Sequence, residues 1–149
     1  MFKIKKSKIQ KPKRVVILGT SGIISSNLIT ELTKLKIKIF LIGRKKLNLK
    51  DKNAHKILAG KIRNADTIVF VAAEAPVKTL EMLSNNLKIC SNVYQALEKK
   101  KIKHLIYISS DAVYSDIKGK IMENSKTLPN SLHGFMHLTR EQILKNKFK

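Results

Sequence analysis

Short runs of consecutive apolar residues alternate along this chain with longer segments whose apolar residues recur every three or four positions. Val15-Val16-Ile17-Leu18, entered from Arg14, predicts a buried strand over 14–18. A helix over 22–35 follows, with Ile23, Leu28, Ile29, Leu32 and Leu35 on one face. The second strand covers 37–42, and Leu47-Asn48-Leu49 reads as a third, very short one. Asp51 is placed to cap a helix that runs through His55, Ile57 and Leu58 to Ile62. A fourth strand covers 67–72, a long helix 78–100, and a fifth strand 105–109. The last segment, 130–147, has helical spacing in Leu132, Phe135 or Met136, Leu138, Ile143 and Leu144.

Strands that are apolar on both faces and separated by helices predict an α/β protein with a parallel sheet wrapped on both sides. Right-handed crossovers make that a Rossmann-type sheet, with strand order 3-2-1-4-5. The 149 residues, 43% of them hydrophobic, fit one domain with a real core: a basic arm over 1–13, then a domain over 14–149. The single Cys90 excludes an internal disulfide, and no apolar run approaches the roughly 18 residues of a membrane helix, so a cytoplasmic, soluble protein is expected.

The formal net charge of +21 would attract nucleic acid or an anionic membrane surface. The cations are nearly all lysines spread over every predicted helix, and only Arg14, Arg44, Arg63 and Arg140 offer a fork for bidentate phosphate or base contacts. With 5% aromatic residues for base stacking and no recognition motif, the pattern reads as solvated lysine faces and disfavours a nucleic-acid partner.

The candidate chemistry begins at Gly19-Thr20-Ser21-Gly22, directly behind the first strand. A strand entering a glycine turn and then a helix presents free amides and the positive end of the helix dipole to a phosphate. A dinucleotide is the usual partner of such a turn. The third glycine of a Gly-x-x-Gly-x-x-Gly spacing is replaced by Ser25, a small residue that the helix packing either tolerates or is pushed apart by.

Further landmarks occur in order: Ala72-Ala73 closing the fourth strand, Asn86 opening Asn-Leu-Lys-Ile-Cys-Ser-Asn, and Ser109-Ser110-Asp111-Ala112-Val113-Tyr114 after the fifth. On these residues the chain resembles the extended short-chain dehydrogenase/reductases, the NAD(P)-dependent epimerase/dehydratase family that acts mainly on nucleotide-linked sugars. Gly43-Arg44-Lys45-Lys46-Leu47-Asn48-Leu49 looks like the Gly-Arg-x-x-Leu-Asp-Leu of sugar-nucleotide reductases such as the dTDP-4-dehydrorhamnose reductases. The likeness runs from about Arg14 to Leu144.

The resemblance implies that Gly19, Thr20, Ser21 and Gly22 hold the pyrophosphate, with Ile23 and Ile24 in the first turn of the helix, and that Ala72 and Ala73 line the cofactor. Arg44 stands where an acidic residue would bind the ribose hydroxyls; it either receives a 2'-phosphate, favouring NADP over NAD, or is one more exposed cation. Asn48 would lie beside the adenine. Members of the family normally continue for about as many residues again, forming a substrate lobe that is missing here. The resemblance therefore also implies a complementary chain or a homodimer, besides a nucleotide-sugar as partner.

In the family a Ser or Thr polarises the reacting oxygen, a Tyr transfers the proton, and a Lys four residues on assists it and holds the nicotinamide ribose. Ser110 matches the first role and Asp111 would touch substrate, but His133 stands at the tyrosine position and His137 at the lysine position. Their spacing puts both rings on one helix face. These readings stay open: His133 as a substitute acid/base with His137 on the ribose; a decayed site that still binds cofactor, or a binding or regulatory module; a zinc pair, for which no third ligand is evident in the sequence; or partly buried histidines with no special role. Ala112, where sugar dehydratases carry a Glu, disfavours a 4,6-dehydratase.

Overall fold

The computed structural model describes residues 11–114 and 119–147. The expected arm falls largely on residues 1–10, outside the described residues. Four strands, β1 (Val15–Leu18), β2 (Ile39–Ile42), β3 (Thr67–Phe70) and β4 (His104–Tyr107), form one parallel sheet in the order β2-β1-β3-β4. Val15 pairs with Ile39 on one side and Thr67 on the other, and Thr67 pairs with His104. The helices are α1 (Ile23–Lys34), α2 (Ala54–Lys61), α3 (Leu80–Leu97) and α4 (Leu132–Lys147), with a 3-10 turn at Asp111–Val113. This is the Rossmann-type arrangement that the apolar runs predict.

Alternation along the strands divides the core in two. Val16, Leu18, Ile68 and Phe70 face Leu58, Val93, Leu97 and Leu144 of α2, α3 and α4. Val15, Ile17 and Val69 face Leu28, Ile29 and Leu32 of α1. The second layer is thinner: Ile106 of β4 keeps 48% of its surface exposed.

Three expectations change, and one open alternative is resolved. Leu47-Asn48-Leu49 is not a strand; both leucines are buried, but from an irregular loop that docks on the core. Asp51 does not cap α2 through its side chain; Asn53 is the N-cap residue, and the Asp51 carbonyl accepts from the Ala54 amide at 3.0 Å. Ile23 (81% exposed) and Leu35 (52%) leave the α1 contact face, because the helix ends overhang a four-residue strand. On α4 it is Met136 that enters the core, while Phe135 points outward.

Two of the four arginines are removed from the surface. Arg14 is buried against Asp66, its Nε donating to Oδ1 at 2.8 Å, and the Arg63 amide donates to the same carboxylate. Burial pushes the Asp66 carboxyl up, but Arg14 and the Arg63 amide outweigh it and hold it below the usual carboxylate range. Arg140 is fully buried. The forks left for an external phosphate are those of Arg44 and Arg63. Among the described residues no helix is long and apolar enough to cross a membrane.

Candidate functional site

The glycine turn is built as a phosphate site requires. Gly19 has φ +93°, and a Cβ there would stand 2.6 Å from the Ala72 nitrogen, so the turn lies directly on the segment leaving β3. Gly22 has φ +108° and nothing within 4 Å of where a Cβ would be, which leaves open approach at the start of α1. Ser25 is fully buried, and its hydroxyl donates to the Gly19 carbonyl at 2.7 Å. The serine is thus tolerated, and it fastens the turn to the helix.

A cleft opens beside the turn. Gly19, Thr20 and Ser21 form one side, Arg44, Asn48 and Lys50 the second, and Ala72, Ala73 and Glu74 the third. Gly22, Ile23 and Ile24 stand at the helix start beside it, both isoleucines exposed. The loop carrying Asn48 is held by its own amide: Nδ2 donates to Asp51 Oδ1 at 2.7 Å, and Oδ1 accepts from the Lys50 amide at 3.3 Å. The segment after β3 is held by Asn86, which is fully buried on α3. Its Oδ1 accepts from the Glu74 amide and its Nδ2 donates to the Glu74 carbonyl, both at 3.0 Å.

Lys50 and Glu74 were not legible as site residues. They join the two walls of the cleft by an ion pair of 2.6 Å, and Asn85 Nδ2 donates to the other Glu74 oxygen at 3.1 Å. The one available signal was that Glu74, among only ten acidic residues, directly follows Ala72-Ala73.

The second half of the site sits where α4 meets the 3-10 turn. A Cβ on Gly134 would stand 2.0 Å from the Ala112 carbonyl oxygen, so the helix carrying both histidines lies against the backbone that follows Ser110. The Ser110 hydroxyl donates to Asp111 Oδ1 at 3.1 Å and accepts from the Ala112 amide at 3.2 Å, capping the turn. His133 and His137 touch edge to face, ring centroids 4.7 Å apart, on the shared face that their spacing predicts.

Their environments differ. His133 is half-buried, and its Nδ1 faces the Val77 amide at 3.4 Å. His137 is 6% exposed, and its Nδ1 lies 2.7 Å from the Tyr107 hydroxyl. Burial, with the charges of His133 and Arg140 adding to it, pulls His137 down to about 4. It is therefore neutral at pH 7, with Nδ1 and the Tyr107 hydroxyl sharing one hydrogen bond. Among the described residues no group of three His, Cys, Asp or Glu is placed to hold a metal.

The lowered value has a consequence for stability. Between pH about 6.5 and 4 the unfolded chain takes up a proton that the folded chain refuses, so His137 makes stability fall as pH drops through that window. His137→Gln, which can still hydrogen-bond Tyr107, is expected to flatten this dependence by about 2 kcal/mol. Urea unfolding at pH 7 and pH 4.5 checks it; an equal loss in both proteins would show that His137 is not the group.

The profile of the NAD dependent epimerase/dehydratase family matches residues 15–147. An uncharacterized UDP-glucose epimerase of Bacillus subtilis (strain 168) is 24% identical, over 87% of this chain and 50% of that protein. A dTDP-4-dehydrorhamnose reductase of Clostridium acetobutylicum superposes with a TM-score of 0.76 at 21% identity, over 90% of this chain and 49% of its own. A UDP-glucose 4-epimerase of Thermus thermophilus, solved in complex with NAD, gives a TM-score of 0.78 at 18% identity, over 89% and 50%. The chain thus spans about half the length of these proteins.

Proposed function

The chain belongs to the NAD dependent epimerase/dehydratase family, and from that premise we propose that it binds NAD(P) in the cleft beside Gly19-Thr20-Ser21-Gly22. The observation that carries this is the open glycine turn facing Arg44 across one cleft. Amides at the start of α1 would hold the pyrophosphate, Ala72 and Ala73 would line the adenosine half, and Arg44 would pair with a 2'-phosphate, which favours NADP. The chain's substrate class is a nucleotide-linked sugar, as the named activities of its relatives suggest.

A bound nicotinamide would supply or accept a hydride at a sugar carbon. Ser110 would polarise the sugar oxygen after turning its hydroxyl away from Asp111, and Asp111 would touch the sugar. His133 would give or take the proton. His137 favours a second reading, a cofactor-binding protein of low turnover. Its Nδ1 is engaged by Tyr107, it carries no charge at pH 7, and so it cannot do what a lysine at its position does.

Fluorescence titration with NADPH and NADH at about 0.15 M salt tests both readings. Saturable binding, tighter for NADPH, is expected, and a separate assay should find no turnover of UDP-glucose above about 0.01 per second with either NADP or NAD added. No saturation with either dinucleotide would remove the cofactor reading. Turnover at an ordinary enzymatic rate would remove the second.

A further inference from the structure

Three charged side chains line the cleft: Arg44 and Lys50 on the wall after β2, and Glu74 on the wall after β3. The Glu74 side chain is 16% exposed and that of Lys50 30%, so their 2.6 Å pair is partly shielded from water, unlike the exposed pair of Lys34 and Glu31. Glu74 has little freedom to leave. Asn86 fixes its backbone by two hydrogen bonds, and Asn85 holds the carboxylate oxygen that Lys50 does not. The hydrogen bond from Lys50, opposed by burial and assisted by Asn85, Lys50's charge and the field of Arg44, holds the Glu74 carboxyl below its usual value. It is ionised at neutral pH, and its charge is felt at Arg44.

The cleft in this state measures about 100 Å³, below the roughly 300 Å³ from which small-molecule pockets begin. The Lys50–Glu74 pair joins the two walls of the cleft. Any anion entering it meets two cations and one fixed anion.

We propose that Glu74 is a specificity-determining residue that limits the site's preference for 2'-phosphorylated dinucleotides, by neutralising Lys50 and opposing Arg44 inside the cleft. This inference rests on the dinucleotide reading above. A 2'-phosphate brings roughly two more negative charges than a 2'-hydroxyl. A change of one unit charge in the cleft therefore acts more strongly on NADPH than on NADH, and part of the effect is screened by salt. Removing the carboxylate should raise selectivity for NADPH, and removing the lysine should lower it.

The test measures dissociation constants for NADPH and NADH with the full chain, Glu74→Gln, Lys50→Gln and the double variant, at about 0.05 M and 0.3 M salt. Glu74→Gln is expected to shift the ratio toward NADPH about fivefold at low salt, and less at high salt. Lys50→Gln should shift it the other way by a similar factor. The double variant should return near the native ratio, because each substitution then removes the other's partner. Ratios unchanged within twofold in both single variants would overturn the role of Glu74 while leaving the cofactor reading intact. Absence of saturable binding to the native chain and to Glu74→Gln alike would overturn both. Lys50→Gln keeps the test decisive if Glu74→Gln does not fold, because an unpaired Glu74 must then disfavour NADPH.

Discussion

Arg140→Ala is expected to cost about 4 kcal/mol of stability, and Arg140→Met less than half of that. The guanidinium is fully buried on α4 and stacked on two sheet rings, its central carbon 4.3 Å from the Phe70 centroid and 5.0 Å from that of Tyr107. Its Nη2 donates to the Ala72 carbonyl at 2.8 Å, and Nη1 reaches Asn86 Oδ1 at 3.4 Å. The side chain thus ties α4 to α3 and to the segment that forms one wall of the cleft. Alanine would leave a cavity and deprive the Ala72 carbonyl of its donor, both unfavourable. Methionine would also leave the Ala72 carbonyl without this donor, but it would fill most of the space and remove a charge that burial disfavours. Urea unfolding reads the difference as a midpoint shift of about 2 M for alanine, taking a slope of roughly 2 kcal/mol/M. Equal losses in both variants would mean that the guanidinium's charge and hydrogen bonds, rather than its volume, hold the helix in place.

Gly19→Ala is expected to weaken dinucleotide binding by at least about 100-fold, because two constraints act on one atom. The residue sits at φ +93°, where a side chain costs about 1–2 kcal/mol, and the new Cβ would stand 2.6 Å from backbone of Ala72 that cannot swing away. The turn and the β3 segment would have to part, separating two sides of the cleft. Gly60 is the control. It lies in α2 with nothing within 4 Å of a Cβ, and Gly60→Ala should leave binding unchanged while adding about 0.5–1 kcal/mol of stability. Titration and thermal unfolding of both variants check this; native affinity in Gly19→Ala would remove the turn from the site.

Runs such as Val15–Leu18 and Thr67–Phe70 were legible because a strand buried on both faces leaves no choice of residue type. The Leu47–Leu49 segment was not: a short apolar triplet is buried equally well by a loop, and only pairing with a neighbour distinguishes a strand. Gly19, Thr20 and Ser21 were legible in the local spacing of the turn, whereas Arg44, Asn48, Ala72 and Ala73 were legible only through the family resemblance; all seven come together in the cleft. What escaped were contacts between distant positions. Arg14 and Arg140 looked like surface cations until Asp66, Ala72 and Asn86 were seen around them. The helical spacing placed His133 and His137 on one face, but nothing local showed that Tyr107, thirty positions earlier, would claim the second ring.

The contact of Gly134 with the Ala112 carbonyl bears on any exchange of α4 between this chain and its relatives. With no side chain between them, the helix bearing the two histidines and the loop bearing Ser110 form a mated joint. A graft of α4 from a relative would inherit that joint only if it carried glycine at 134 and kept its pitch against residue 112. Transplanting residues 109–114 together with 131–141 as one cassette would preserve the fit, while exchanging tyrosine and lysine alone would set new groups on a surface shaped for others.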